Sequence, residues 1–312
     1  MKILVTGAAG YKGSVLIPKL LNNGYQVKAL DTMWFGNFLP SNANLTILNK
    51  DVRDIKTEDL DNVSQVIHLA SVANDPCGDL NPELTWEVSA LATMKLVEAC
   101  LKMGVQQFIY ASSGSVYGVK QEEQVTEDLA LIPISGYNKT KMIAERVLLS
   151  YQDNIRVQII RPATVCGLSP RMRLDVSVNM LTMQALNKGL ITVLGGSQTR
   201  PNIHIEDITD IYLFFLDNPS HVGIFNAGFE NLTILDIAKK IKEKTGANIE
   251  IKPSNDPRSY RVNSDKLLKT GFTPKRTVSH AIEEIRLAFQ AGKLKDDDSK
   301  YNLRWMKQHD LA

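Results

Sequence analysis

The feature that most constrains the fold is a glycine-rich turn near the start of the chain. Lys2 to Thr6 is typical of a short buried strand, and Gly7, Gly10 and Gly13 follow it directly before a helical pattern begins. A strand that enters a helix through such a turn lets a pyrophosphate bind at the helix N-terminus. Glycine is needed where the backbone approaches a phosphate and where the helix approaches the strand. The turn therefore predicts a dinucleotide-binding unit.

An acidic residue marks the end of the second predicted strand, residues 25–30. This residue, Asp31, lies where adenosine ribose hydroxyls bind, and its carboxylate repels a 2′-phosphate, which favours NAD over NADP. Lys12 in the glycine-rich turn blurs this preference, because a cation there could reach a phosphate. The alternative for Lys12 is a solvent-facing lysine at the start of the helix.

The strands that follow alternate with helical patterns. They are expected at residues 45–50, 63–69, 107–111 and 156–160. This alternation implies right-handed βαβ units and an α/β fold with a Rossmann-type, doubly wound parallel sheet. Beyond residue 165 the alternation weakens, which predicts a smaller C-terminal mixed α/β lobe. We expect the NAD-binding domain at 1–165, with 203–228 returning to it, and a mainly substrate-binding lobe at 166–312.

Polar residues follow several predicted strands, at the edge where ligands bind in this architecture. Asp51 comes after the third strand and could hydrogen-bond an adenine edge, with Val52 packing on the ring; alternatively, Asp51 only caps a turn. Ser112 and Ser113 follow the fifth strand and are expected to point into the same crevice.

Two helical segments flank these strands, and the chain closes with a polar tail. Residues 84–103 predict one amphipathic helix with Leu91 and Leu101 on its buried side. The other segment places Tyr137 and Lys141 four residues apart, on one helix face. An ammonium beside a phenol favours the phenolate, so Tyr137 becomes a usable acid or base near neutral pH. The alternative is an ordinary helix with a surface lysine.

The tail from Lys293 is expected to be loosely held.

Composition excludes several classes of function. Lys and Arg total 36 against 34 Asp and Glu, a net charge of +2, which predicts neither a basic stripe for nucleic acid nor a polybasic membrane patch. Three scattered cysteines, Cys77, Cys100 and Cys166, predict no disulfide framework, and no Cys/His cluster predicts a metal site. The N-terminus lacks the apolar stretch of a signal peptide, and no window is long enough for a membrane span. A soluble cytoplasmic protein is expected.

A series of motifs runs from residue 3 to about residue 275. They are Thr6-Gly7-x-x-Gly10-x-x-Gly13, Asp31, Asp51-Val52, His68-Leu69-Ala70, Ser112-Ser113-x-x-Val116-Tyr117-Gly118, Tyr137-x-x-x-Lys141, Arg161-Pro162 and Arg200-x-x-x-His204-x-x-Asp207. In this order and spacing the chain resembles the extended short-chain dehydrogenase/reductase family, the NAD-dependent nucleotide-sugar epimerases and dehydratases.

The resemblance implies a hydride mechanism. Tyr137 would take the proton of a sugar hydroxyl as the sugar carbon gives hydride to the nicotinamide. Lys141 would hold the cofactor ribose and lower the pKa of Tyr137. Ser113, rather than Ser112, would hydrogen-bond the reacting oxygen. Further cofactor contacts are implied for Tyr11, Leu69, Ala70 and Ser71.

The resemblance also implies where a nucleotide-diphospho-sugar binds. Arg200 and Arg258 fall where the family grips the diphosphate, and guanidinium forks suit that task. Asn179 falls where the family binds phosphate or nucleotide. The alternatives are two surface arginines and an asparagine at a helix start. A homodimer that packs helices 84–103 and 137–150 against their copies is a further expectation from the family.

Departures from the family pattern narrow the chemistry. Gly114 and Ser115 stand where the resembled 4,6-dehydratases carry an acid and a base, which argues against elimination of water. Ser115 also stands where 3,5-epimerases carry cysteine. What remains is oxidation at C4, either reversed on the other face, which is epimerisation, or left as a ketone, which is dehydrogenation. The run 164–175 most resembles GDP-heptose C4 dehydrogenases of capsule biosynthesis, so dehydrogenation stays open. A non-catalytic NAD-binding regulator is a remote alternative.

Overall fold

The strands of the computed structural model, which describes residues 1–254 and 259–311, assemble mainly into one parallel sheet. In chain order they are β1 (Lys2–Thr6), β2 (Gln26–Asp31), β3 (Leu45–Asn49), β4 (Val63–His68), β5 (Gln107–Ala111), β6 (Arg156–Pro162), β7 (Thr164–Cys166), β8 (Leu190–Leu194), β9 (Thr199–His204), β10 (Gly223–Ala227), β11 (Glu230–Thr233) and β12 (Asn248–Lys252). Within the described ranges, seven strands form a sheet in the order β10-β6-β5-β4-β1-β2-β3, all paired in parallel. The predicted Rossmann-type fold is confirmed.

Helices cover this sheet and build the second lobe. They are α1 (Gly13–Asn22), α2 (Asp75–Leu80), α3 (Pro82–Trp86), α4 (Ala92–Lys102), α5 (Gly136–Ser150), α6 (Ser177–Lys188), α7 (Ile205–Asp217), α8 (Ile234–Thr245), α9 (Asp265–Leu268), α10 (Val278–Gln290) and α11 (Asn302–Gln308). Helix α1 buries its apolar residues against the sheet, beside α7. The N-terminus of α5 is capped by Ser135, whose hydroxyl accepts a hydrogen bond from the Asn138 amide at 3.1 Å.

Two positions of the glycine-rich turn admit no side chain. Gly7 has φ +68°, and a Cβ there would lie 2.6 Å from the Ala70 nitrogen. A Cβ on Gly13 would lie 2.3 Å from the Ala8 carbonyl oxygen. The two glycines therefore let β1 turn sharply into α1 and bring the turn against the end of β4. The N-terminus of α1 is left without a side-chain cap and without an acidic residue in its first turn.

The predicted helix at 84–103 is interrupted by a π-helical turn at Glu87–Leu91. The wider turn rotates the residues that follow, so Leu91 is 43% exposed instead of buried. Ala92, Leu96 and Cys100 face the core in its place. The prediction of one uninterrupted helix with Leu91 inside was wrong, because an apolar pattern alone does not reveal a change of helical period.

Residues after β6 build a second lobe and also return to the large sheet. Helices α6, α8 and α10 share an apolar cluster with the two-stranded sheet of β8 and β12. A three-stranded sheet, β11-β9-β7, lies beside it. Strand β10 instead pairs with β6 at the edge of the seven-stranded sheet. The chain therefore crosses between the two lobes more than once.

The C-terminal residues pack on the first lobe, which corrects the prediction of a loose tail. The Trp305 indole donates a hydrogen bond to the Trp34 carbonyl at 2.7 Å, and Met306 is buried. Asn302 accepts a hydrogen bond from Arg171 at 2.6 Å. Charged residues concealed this packing, because only a few apolar anchors hold the tail. Across residues 1–254 and 259–311, we find no helix with the length and apolar character that a membrane crossing requires.

Candidate active site

A cavity of about 400 Å³ opens at the carboxyl edge of the large sheet. It runs from the glycine-rich turn and Asp31 to the N-terminal part of α5. Most of the predicted site residues line it, namely Gly7, Gly10, Tyr11, Lys12, Gly13, Asp31, Asp51, Val52, Leu69, Ala70, Ser71, Ser113, Tyr137, Lys141 and Arg200. Strand ends far apart in the sequence converge here because parallel strands share one carboxyl edge.

One end of the cavity fits a dinucleotide. The N-terminus of α1, which has no side-chain cap, faces this end of the cavity. The glycines of the turn carry no side chains, so a phosphate can approach the backbone amides there. Asp31 is fixed at the neighbouring strand end by the amides of Ala9 at 2.9 Å and Met33 at 2.8 Å. Burial raises the pKa of Asp31, and these amide hydrogen bonds oppose that rise. The residues present therefore suit a pyrophosphate and a ribose diol.

Asp51 has the capping role, one of the two roles that the sequence left open. Its carboxylate accepts a hydrogen bond from the Arg53 amide at 2.8 Å, which caps a short 3-10 turn, and pairs with the Arg53 guanidinium at 3.0 Å. It still lines the cavity next to the largely buried Val52. The capping function of Asp51 is therefore present, and an adenine contact is still compatible with its position.

The catalytic candidates meet at the other end. Ser113 lies close enough to the Tyr137 hydroxyl to oppose the rise that burial causes in the pKa of that group. Ser113 Oγ also lies 2.6 Å from Ser115 Oγ, and Ser115 donates to Asn138. Lys141 Nζ donates to the Ala111 carbonyl at 2.8 Å and lies 6.0 Å from the centroid of the Tyr137 ring. A phenol, a hydroxyl and an ammonium thus share one small volume.

The predicted effect of Lys141 on Tyr137 is wrong for this structure. Burial raises the pKa of Tyr137 to about 12, and the cation that opposes this rise is Arg173. Burial, with a smaller contribution from Lys12, also lowers the pKa of Lys141 to about 7. The Lys141 ammonium is directed at the Ala111 carbonyl, and desolvation outweighs its attraction for a phenolate.

A group of polar residues in the cavity was missed. Arg173 pairs with Asp175 through contacts of 2.8 and 3.1 Å, and Asn74 donates to the same carboxylate at 3.1 Å. Asp75 lies beside Asn74 at the start of α2, within electrostatic reach of Tyr137. The run of arginines after β7 was the signal for Arg173, but nothing in the sequence indicated that it comes close to Tyr137.

Ser112 and Ser113 have different partners. Ser112 donates to Glu145, which also accepts hydrogen bonds from Arg161 at 2.9 and 2.7 Å. Both charged side chains are buried, with 1% and 2% of their surface exposed. Arg161 donates in addition to the Tyr117 hydroxyl at 2.7 Å. This buried ion pair ties α5 to the ends of β5 and β6, and so holds the strand end that carries Ser113.

The three predicted substrate residues differ in position. Arg200 lines the cavity, and its guanidinium donates to the Thr199 carbonyl at 3.2 Å. Asn179 is fully buried and does not line the cavity. Its side-chain oxygen accepts a hydrogen bond from the Gly167 amide at 3.0 Å, and its side-chain nitrogen donates to the Arg173 carbonyl at 2.9 Å. In this structure Asn179 holds the loop that carries Arg173. Arg258 lies outside the described residues.

Known proteins share this architecture. A putative UDP-glucose 4-epimerase of Methanocaldococcus jannaschii is 28% identical over 298 residues, covering 91% of this chain and 96% of its own. UDP-glucuronic acid decarboxylase 1 of Arabidopsis thaliana is 28% identical over 319 residues, covering 96% of this chain and 72% of its own. The solved UDP-glucuronic acid 4-epimerase of Bacillus cereus, in complex with UDP-glucuronic acid and NAD, superposes with a TM-score of 0.82 at 28% identity, covering 93% of this chain and 99% of that one.

The family model described as NAD dependent epimerase/dehydratase family matches residues 3–228, from β1 to just beyond β10. The match includes the glycine-rich turn, Asp31, Ser113, Tyr137 and Lys141. The chain is therefore an enzyme of the NAD dependent epimerase/dehydratase family, of the extended short-chain dehydrogenase/reductase type.

Proposed function

We propose that the protein is a nucleotide-diphospho-sugar C4 epimerase with retained NAD. The observation that carries this proposal is the grouping of Tyr137, Ser113 and Lys141 at one end of a cavity whose other end suits a dinucleotide. Relatives described as UDP-glucose 4-epimerases, and a solved UDP-glucuronic acid 4-epimerase, support the choice of reaction.

The side chains of this site handle one proton and one oxygen. Bound NAD supplies the acceptor that takes a hydride from the sugar carbon and later returns it. Tyr137 must first lose its own proton, a step that burial disfavours by raising its pKa to about 12. As a phenolate, Tyr137 Oη then receives the proton of the sugar hydroxyl, and Ser113 Oγ hydrogen-bonds the same oxygen as it becomes a carbonyl. The Lys141 amine lies 6.0 Å from the centroid of the Tyr137 ring, and its protonated form favours the phenolate. If the resulting ketone is presented by its other face before the hydride returns, the configuration at C4 is inverted.

The residues after Ser113 do not suit elimination of water. Gly114 offers no side chain, and a Cβ there would lie 3.2 Å from the Pro162 carbonyl oxygen. The Ser115 hydroxyl is bonded to Asn138 and Ser113. Neither position supplies the carboxylic acid that elimination requires, so the chemistry supported here is the making and unmaking of a ketone.

Arg200 is the described side chain best placed to grip the diphosphate of the substrate. We expect Arg200→Ala to weaken sugar-nucleotide binding by roughly 10–150-fold, the usual worth of hydrogen bonds to a charged group, and to change NAD binding far less. Calorimetry with each ligand measures the two effects. Arg146, exposed on α5 and outside the cavity lining, provides the control Arg146→Ala. Equal losses for both ligands would count against this role.

Asp31 is expected to select NAD over NADP. Asp31→Ala should reduce the ratio of NADP to NAD dissociation constants at least about tenfold, because the carboxylate that repels a 2′-phosphate is gone. Asp31→Asn removes the charge and keeps an acceptor for one of the two amides, since Ala9 and Met33 donate to different carboxylate oxygens. The exposed Asp54→Ala is the control. An unchanged ratio in both Asp31 variants would remove Asp31 from the ribose site.

One experiment decides between epimerisation and its alternatives. Purified protein is incubated with UDP-, GDP-, CDP- and dTDP-sugars, while NMR follows the sugar configuration and absorbance follows NADH. An epimer without net NADH supports the proposal. A 4-ketosugar with stoichiometric NADH identifies a C4 dehydrogenase instead, the alternative that the run 164–175 keeps open. Absence of any conversion, with NAD still bound, would point to the regulatory alternative.

We also propose a cytoplasmic homodimer. Trp86, Leu91 and Ile143 are each at least 37% exposed, and they lie on the neighbouring segments α3, the π-helical turn and α5. An apolar patch on adjacent helices suits association with a second copy. The three buried, unpaired cysteines are consistent with a reducing compartment. Light scattering coupled to size exclusion tests the dimer, and a monomer at micromolar concentration would contradict it.

A further inference from the structure

Lys12 is the cation of the glycine-rich turn, and it is not the solvent-facing lysine that was one of the two alternatives for it. Its side chain is partly buried and its ammonium lies 3.4 Å from the hydroxyl of Tyr212, a fully buried residue of α7. The same ammonium lies 6.0 Å from the centroid of the Tyr212 ring. Lys12 lines the cavity from this side. It is therefore directed inward, below the glycine-rich turn, and not toward solvent.

This position brings Lys12 to the catalytic end of the cavity. Lys12 lies close enough to Lys141 for their charges to interact, and Tyr212 stands in the same relation to Tyr137. Arg173 also interacts with Lys12, and burial together with Arg173 lowers the pKa of Lys12 to about 8. At neutral pH the ammonium form still predominates.

The cations at this end of the cavity differ in whether a carboxylate is paired with them. Arg173 is paired with Asp175. In the part of the chain that the structure describes, the polar partner of the Lys12 ammonium is the Tyr212 phenol, and that of Lys141 is the Ala111 carbonyl. Both partners are neutral. Glu145 interacts with Lys141 at longer range, and the pKa of Lys141 is lowered to about 7, so Lys12 is the lysine that stays mainly charged at neutral pH with no carboxylate partner among the described residues.

A fixed positive charge such as that of Lys12 acts differently on the oxidised and the reduced forms of the cofactor. The oxidised nicotinamide ring carries a positive charge and the reduced ring carries none. A fixed ammonium in a cavity of low dielectric repels the oxidised ring and is indifferent to the reduced one. The effect needs no transfer to or from Lys12: the hydride moves from the sugar carbon to the ring, the hydroxyl proton moves to Tyr137, and the lysine stays protonated throughout.

We propose that Lys12 shifts the bound cofactor toward its reduced form, and so favours the stage of the reaction at which the sugar is a ketone. This inference rests on the proposed function for the location of the nicotinamide beside Tyr137. It assigns Lys12 a tuning role through charge, distinct from proton transfer by Tyr137 and from phosphate binding by the glycine-rich turn.

The test is the ratio of NADH to NAD dissociation constants, measured by calorimetry on the full-length, cofactor-depleted protein without sugar. Lys12→Met keeps the length of the side chain and removes its charge. We expect it to tighten NAD relative to NADH by about tenfold or more. Lys12→Arg, which keeps the charge, should retain the wild-type ratio. Lys28→Met, which removes a partly buried lysine outside the cavity lining, should leave the ratio unchanged.

Two outcomes would overturn the inference. Equal weakening of NAD and NADH by Lys12→Met would make Lys12 a pyrophosphate ligand, and an unchanged ratio would leave it with no electrostatic role. If Lys12→Met does not fold, as judged by circular dichroism, Lys12→Gln replaces it. The dissociation constants of NADH and NAD are measured without sugar, so their ratio can change as expected even if the panel of nucleotide sugars contains no substrate. The failure of this inference and the failure of the proposed function are thus distinguishable.

Discussion

Replacing Tyr137 with Phe is expected to lower kcat by roughly 10²–10⁴-fold, the usual contribution of a positioned general acid or base. The variant loses only the hydroxyl, which lies near Ser113, and it keeps the ring that lines the end of the cavity. NAD binding should therefore stay within about threefold of the wild type, because the Tyr137 hydroxyl acts in the transition state and contributes little to binding of the cofactor in the ground state. Steady-state kinetics and calorimetry with NAD measure the two quantities.

The chain offers a matched control. Tyr110 on β5 is fully buried, and its hydroxyl has no hydrogen-bond partner among the described residues. Tyr110→Phe removes the same atom from the same kind of side chain outside the cavity lining, and should leave kcat within about twofold. A Tyr137→Phe enzyme with an unchanged rate would eliminate Tyr137 as the proton-handling residue.

The second large effect concerns stability. Glu145→Ala is expected to lower the free energy of unfolding by about 3–5 kcal/mol, because it leaves the buried Arg161 guanidinium without a counter-charge. The Ser112 hydroxyl loses its acceptor as well. For a chain of 312 residues, each kcal/mol corresponds to roughly 1.5 °C in Tm. Urea unfolding, followed by circular dichroism, measures the change.

An exposed ion pair of similar geometry provides the comparison. Glu283 accepts two hydrogen bonds from Arg286 on α10, at 3.0 and 2.6 Å, but both side chains reach solvent. Glu283→Ala should cost at most about 1 kcal/mol. Glu145→Gln, which keeps one of the two acceptor oxygens and removes the charge, should fall between the two. If Glu145→Ala and Glu283→Ala proved equally mild, the buried pair would not be what anchors α5 to the sheet.

The central sheet and the main site residues could be predicted because they depend on local signals. Gly7 and Gly13 occupy positions where backbone geometry forbids a side chain, and Asp31 directly follows a strand. Tyr137 and Lys141 share a helix face through their spacing alone. The rule that ligands bind at the carboxyl ends of parallel strands then placed these residues in one crevice.

The missed features depend on contacts between distant segments. Asn74 meets Asp175 across 101 positions, and Arg171 meets Asn302 across 131. No pattern within either segment indicates its partner. The pKa of Tyr137 was misjudged for a related reason, since burial is a property of the assembled cavity and here outweighs the neighbouring lysine. The direction of Lys12 follows from the packing of α7 on α1, which the sequence does not show.

The attachment of α11 to the first lobe has a consequence for synthesis on the ribosome. Trp34 and Trp305 are joined by a hydrogen bond across 271 positions, and Asn302 contributes to the wall of the cavity beside Phe35. At about 5–20 residues per second, roughly 14–54 s of translation separate the two tryptophans. The glycine-rich turn thus emerges well before α11, and the cofactor cavity is complete only after Asn302 has been made. Prematurely terminated chains would lack this wall, so firm cofactor retention reports that translation has reached α11.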